Sequence, residues 1–130
     1  MNPMAEERQV SGTAVVLTVR LVASREELQR ELEALVGPVR AQPGCRHCSL
    51  MHDAEGSGVV TLVEEWETRA DLDRHFRSEE CRRLLALVEL GDAPPELYID
   101  SVAVREGMEA IAAARGQAAT DDFSGINDPR

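Results

Sequence analysis

Residues 45–66 read CRHCSLMHDAEGSGVVTLVEEW, and their reading decides the fold. Cys45 to Asp53 and Val59 to Trp66 are two runs of strand length. Between them Ala54-Glu55-Gly56-Ser57-Gly58 is turn-forming, so the runs should pair as an antiparallel hairpin. Upstream, Thr13 to Val22 is rich in β-branched residues and sets Val15, Leu17, Val19 and Leu21 on one face, which predicts another strand. Ser24 with Glu27 has the spacing of a capping box. Leu28, Leu32, Leu35 and Val39 follow at helical spacing, Gly37-Pro38 should bend or interrupt that helix, and Pro43-Gly44 ends it. Downstream, Thr68 and Asp71 open a helix carrying Leu72 and Phe76 on one side. Ser78 re-caps a second helical piece with an apolar face of Leu84, Leu85, Leu87 and Val88. After a loop at Gly91 to Pro95, Leu97 to Val104 is the last strand. The order β-α-β-β-α-β predicts an α+β ferredoxin-like fold: an antiparallel sheet with both helices on one face.

The domain so defined spans residues 13–104. Residues 105–115 supply an extra C-terminal helix, with Met108, Ile111 and Ala112 on one side. Residues 116–130, poor in large apolar side chains, read as a flexible tail. The strands raise a further expectation. Val16, Leu50, Leu62 and Val102 make both faces of the sheet substantially apolar, where a sheet with one solvated face should alternate more cleanly. A second sheet from a symmetric partner would cover the face without helices, which predicts a homodimer.

The net charge of −10 argues against nucleic acid and against an anionic membrane surface, since both are bound through clustered Lys and Arg. No run of apolar residues is long enough for a membrane span. The N-terminal residues lack the layout of a signal peptide, and three cysteines suit a reducing compartment, so the expected location is cytoplasmic. A small molecule and a second copy of the chain are the expected partners.

Three features occur in matching order and spacing over residues 15–104: the Pro43-Gly44-Cys45 step, Glu64-x-Trp66 at the end of the third strand, and Leu72-x-x-His75 on the next helix. In these the chain resembles the antibiotic biosynthesis monooxygenase family. The resemblance implies a dimeric α/β barrel in which two sheets meet face to face. It also implies oxidation of a small quinol or phenolic aromatic by molecular oxygen, with no cofactor, neither metal nor flavin. Two alternatives stand beside it: a dimeric small-molecule binding module without turnover, and a haem-binding or haem-degrading relative, with His75 as axial ligand.

Under the resemblance His75 is the candidate catalytic residue, a base for a phenolic proton; its bland alternative is a helix cap or a structural link to Glu64. Trp66, Glu64, Leu72 and Phe76 are the candidate substrate-binding residues. Trp66 would wall a planar ligand or plug the end of the barrel. Glu64 shares its strand face. The family often places an Asn on the first strand, where this chain offers Thr13, Thr18 and Arg20, and an aromatic residue where Cys81 stands. Cys45-Arg46-His47-Cys48 invites a metal reading, but in a regular strand positions 45 and 48 point to opposite faces, so no metal site is expected. No glycine-rich nucleotide loop or nucleophile elbow is present.

Overall fold

In a computed structural model, residues 14–125 are described. Of these, residues 14–103 form one compact unit. It contains β1 (Ala14–Val22), α1 (Glu26–Arg40), β2 (Cys45–His52), β3 (Val59–Trp66), α2 (Arg69–Phe76), α3 (Glu79–Val88) and β4 (Glu96–Val102). The four strands pair antiparallel in the order β2-β3-β1-β4, the ferredoxin-like arrangement that the element order predicts.

Alternation along the central strands builds the core. On β3, Val60, Leu62, Glu64 and Trp66 are buried while Val59, Thr61, Val63 and Glu65 between them are only half-buried. Val15, Leu17, Val19 and Leu21 of β1 join the same layer, and Leu28, Leu32, Leu35 and Val39 of α1, Leu72 of α2 and Leu84 and Val88 of α3 close over it. Of the four residues that make both faces apolar, two belong to the helix side: Leu62 is buried there, and Leu50, its register partner, packs against the same core. Val16 and Val102 do lie on the open face, in rows with Asp100 and Ala14.

Local chemistry explains most helix ends. Thr68 caps α2, its side chain accepting from the Asp71 N–H, and Ser78 caps α3 by accepting from the Cys81 N–H. Ser24 does not cap α1. The N-cap is Arg25, with no side-chain cap bond, and the Ser24 hydroxyl instead donates to Asp92 Oδ2 at 2.6 Å. Nor does Pro38 interrupt α1. It lies in the last turn, where its missing N–H removes a single helical bond, and buried Val39 holds the turn down. On α3 the buried face is Cys81, Leu84 and Val88, whereas Leu85 is half-exposed.

The segment from Val104 onward belongs to a second unit. Its helix, α4, runs from Met108 to Gly125, well past Arg115 where the sequence reading ended it. Gln117, Ala118 and Ala119 are good helix formers, which outweighs the single Gly116. Met108 and Ile111 are both exposed. The last five residues of the expected tail lie outside the described residues. Among the described residues no helix is long and apolar enough to cross a membrane.

Candidate functional site

At the end of β3 the alternation that buries Leu62 also buries Glu64 and Trp66, neither with any exposed surface. From α2, Leu72, His75 and Phe76 fall on one helical face and meet them. His75 is 1% exposed, Leu72 is sealed in the core, and Phe76 is half-buried against it. The His75 ring stacks on Trp66 with centroids 4.8 Å apart and planes 28° from parallel, and the Phe76 ring lies tilted at 6.3 Å. The Trp66 indole N–H donates to Glu64 Oε1 at 3.1 Å, and His75 Nε2 stands 3.1 Å from the same oxygen. That second approach has ion-pair distance without hydrogen-bond alignment, so Nε2 and the other carboxylate oxygen, Oε2, are buried with no hydrogen-bond partner. The structure thus brings all the predicted site residues into one layer, with Glu64, Trp66 and His75 in mutual contact.

Neighbouring segments hold this group in place. Gly44 has φ of +84°, and the Asp71 carboxylate fills the space where a Cβ would stand. The Gly44 carbonyl accepts from the Glu67 N–H at 2.8 Å, and the Arg74 guanidinium donates to the Pro43 carbonyl at 3.4 Å. The proline-glycine step is therefore tied both to the end of β3 and to α2. Just beyond it, the register between β2 and β3 shifts: Cys45 pairs with Trp66, His47 with Glu65 and Cys48 with Glu64. This bulge overturns the expectation that Cys45 and Cys48 face opposite ways. The extra residue sets both on the helix side, opposite Trp66 and Glu64. Burial and then the Glu64 charge push the Cys48 thiol up to about 12 and the Cys81 thiol up to about 11. Cys45 is raised mainly by burial, with Glu64 adding to it. Among the described residues no group of three or more His, Cys, Asp or Glu side chains is placed to hold a metal ion.

Sequence reasoning missed Gln42 and Glu80. Gln42 approaches His75 Nδ1 at 2.8 Å and donates to Glu80 Oε1 at 2.8 Å. No local pattern joins positions 42, 75 and 80; only the fold does. With both ring nitrogens facing protein groups, His75 has none open to a haem iron. An apolar cavity of about 10 Å³, lined by Leu32, Leu50, Leu62 and Leu84 among others, lies between sheet and helices. It has room for a water-sized molecule and not for an aromatic ring.

The comparisons with known proteins agree with this architecture. The family model described as antibiotic biosynthesis monooxygenase matches residues 22–87, just over half of the chain. A Mycobacterium tuberculosis protein named "Putative monooxygenase Rv0793" is 38% identical over 52 residues, covering 40% of this chain and 50% of that protein. The match thus spans half the length of this curated relative. The solved structure of Rv0793 superimposes with a TM-score of 0.64 at 28% identity, covering 72% of this chain and 98% of that one. PA3566 from Pseudomonas aeruginosa gives a TM-score of 0.60 at 32% identity, over 74% of this chain and 97% of its own. A conserved protein from Methanosarcina mazei, 21% identical with a TM-score of 0.64, shares the fold over 72% of this chain and 97% of its own. By its sequence match, its strand order and its likeness to these structures, the chain belongs to the antibiotic biosynthesis monooxygenase family.

Proposed function

We propose that this protein is a monooxygenase that oxidises a small quinol or phenolic aromatic with molecular oxygen, using no cofactor, and that it works as a homodimer. One observation carries the chemical reading. Glu64 and His75 are fully buried 3.1 Å apart, yet Glu64 Oε2 and His75 Nε2 are left without hydrogen-bond partners. Unpartnered buried polar atoms are costly, and a purely structural link would be expected to satisfy them. As a proton-accepting pair they have a use: taking the hydroxyl proton of the substrate leaves an electron-rich anion that reacts with oxygen. For a quinol, one oxygen atom enters a ring carbon, and the other leaves as water with the two hydrogens that the substrate gives up. Trp66 and Phe76 supply aromatic surface beside the pair, with Leu72 packed beneath.

The same burial supports a second reading, a binding module without turnover, because substrate contact requires the site to open around His75. Oxygen consumption separates the two. Metal-free and flavin-free protein should consume oxygen with a hydroquinone, anthrone or catechol, and Glu64→Gln and His75→Asn should each lower turnover by about 10²–10⁴. If no member of such a panel is oxidised while some raise the melting temperature, the protein is a binder.

The dimer is supported by what the helices of residues 14–103 leave uncovered. Val16, Thr18, Val63 and Tyr98 line the face of the sheet opposite the helices. A second copy packed sheet to sheet would bury that surface.

A further inference from the structure

Glu80 settles the orientation of the Gln42 amide. A carboxylate oxygen only accepts, so the Gln42 atom 2.8 Å from Glu80 Oε1 is the amide nitrogen. The amide oxygen is then the atom 2.8 Å from His75 Nδ1. Since a carbonyl oxygen also only accepts, Nδ1 carries a hydrogen. Ser78 agrees: its Oγ lies 3.5 Å from Nδ1 but donates its single hydrogen to the His75 carbonyl at 2.7 Å, leaving only lone pairs for the ring.

Nε2 is therefore the nitrogen that meets Glu64. A histidine free to choose would put its hydrogen on Nε2 and serve the carboxylate as a neutral ring. Gln42 forbids that arrangement, because it would set the Nδ1 lone pair against the amide oxygen. With Nδ1–H fixed, Nε2 keeps its lone pair 3.1 Å from Glu64 Oε1, without hydrogen-bond alignment between them. Trp66, donating to the same oxygen at 3.1 Å, keeps Oε1 turned to this point.

We propose that Gln42, clamped by Glu80, is the positioning residue of the site: it holds His75 as the Nδ1–H tautomer, so that the lone pair is left on Nε2, on the side of Glu64. Its consequence for turnover rests on the reading of Glu64 and His75 as the proton-accepting pair: Gln42 selects Nε2 as the nitrogen that exchanges a proton with substrate. The tautomer itself stands on the geometry alone.

Nitrogen-15 NMR of the histidine side chains in the full chain tests it. In the wild type, His75 Nδ1 should show the shift of a protonated ring nitrogen. Gln42→Leu should move that hydrogen to Nε2 and give Nδ1 the shift of an unprotonated one. In the double variant Gln42→Glu/Glu80→Gln, position 42 supplies a carboxylate that accepts from both neighbours, so the wild-type pattern should return. A role in packing alone would change the melting temperature and leave the tautomer as it was. An unprotonated Nδ1 in the wild type, or a protonated one in Gln42→Leu, overturns the proposal. In oxygen consumption Gln42→Leu should lower kcat by at least about tenfold with KM little changed, since a wrong tautomer disables a base without removing binding. An unchanged kcat beside a switched tautomer refutes the positioning role. If the wild type consumes no oxygen, the functional reading fails, while the nitrogen shifts still decide the tautomer.

Discussion

Asp71 shows how much one side chain can be asked to do. Its backbone N–H is the cap donor for Thr68, its carboxylate accepts from the Thr68 hydroxyl at 2.9 Å and from Arg74 at 3.0 Å, and the same carboxylate packs into the hollow left by Gly44. So restrained, it cannot step aside for a methyl group. Gly44→Ala combines that clash with a left-handed backbone and should cost about 2–3 kcal/mol in denaturant unfolding, with the proline-glycine step displaced from β3. The three thiols make a second residue-scale prediction. Burial raises all of them, and Cys48 and Cys81 most, so each holds little thiolate at neutral pH. Iodoacetamide at pH 8 should label half-buried Cys45 first, and Cys48 and Cys81 only after unfolding. Rapid labelling of Cys48 in the native protein would show that the layer around Glu64 opens readily.

At the scale of elements, the caps separate what a sequence can say from what it cannot. Thr68 and Ser78 were legible because cap and partner lie three residues apart, and local spacing is enough to pair them. Thr68→Ala should cost about 1 kcal/mol in thermal or denaturant melts. Ser78→Ala should cost more, about 2 kcal/mol, since its hydroxyl also holds the His75 carbonyl. Ser24 carries the same local signature and was misread, because its partner Asp92 lies 68 residues away and no local pattern announces it. Ser24→Ala should therefore leave the helix content of α1 unchanged, and it should be non-additive with Asp92→Ala in a double-mutant cycle. The bulge in β2 was hidden for a similar reason: alternation is read by assuming a regular strand, and Cys45-Arg46-His47 gives no sign of the extra residue. The grouping of Glu64 and Trp66 was readable from the two-residue period, and the place of His75 beside them from the resemblance. Their closure by Gln42 and Glu80 was not, because it needs the turn after α1 brought together with α2 and α3 in space.

At the scale of the whole molecule, the sheet of residues 14–103 is covered by that unit's helices on one face only. The homodimer reading expects twice the 14.3 kDa chain mass in light scattering at micromolar concentration. Val63 lies on central strand β3 beside Thr18, and a charge there would meet the partner's sheet. Val63→Asp should weaken association by about a hundredfold or more and leave the helix-side core intact by circular dichroism. A wild type that stays monomeric while fully folded would refute the dimer. Trp66 brings one more consequence. It is the only tryptophan in the chain, and it lies without exposed surface against the His75 ring. All indole emission therefore originates at the candidate site. The native protein should fluoresce at the short wavelengths of an apolar surround, and any opening that lets substrate in should shift that emission to the red without a label. The molecule carries its own optical gauge of whether its most buried pair of polar side chains has met water.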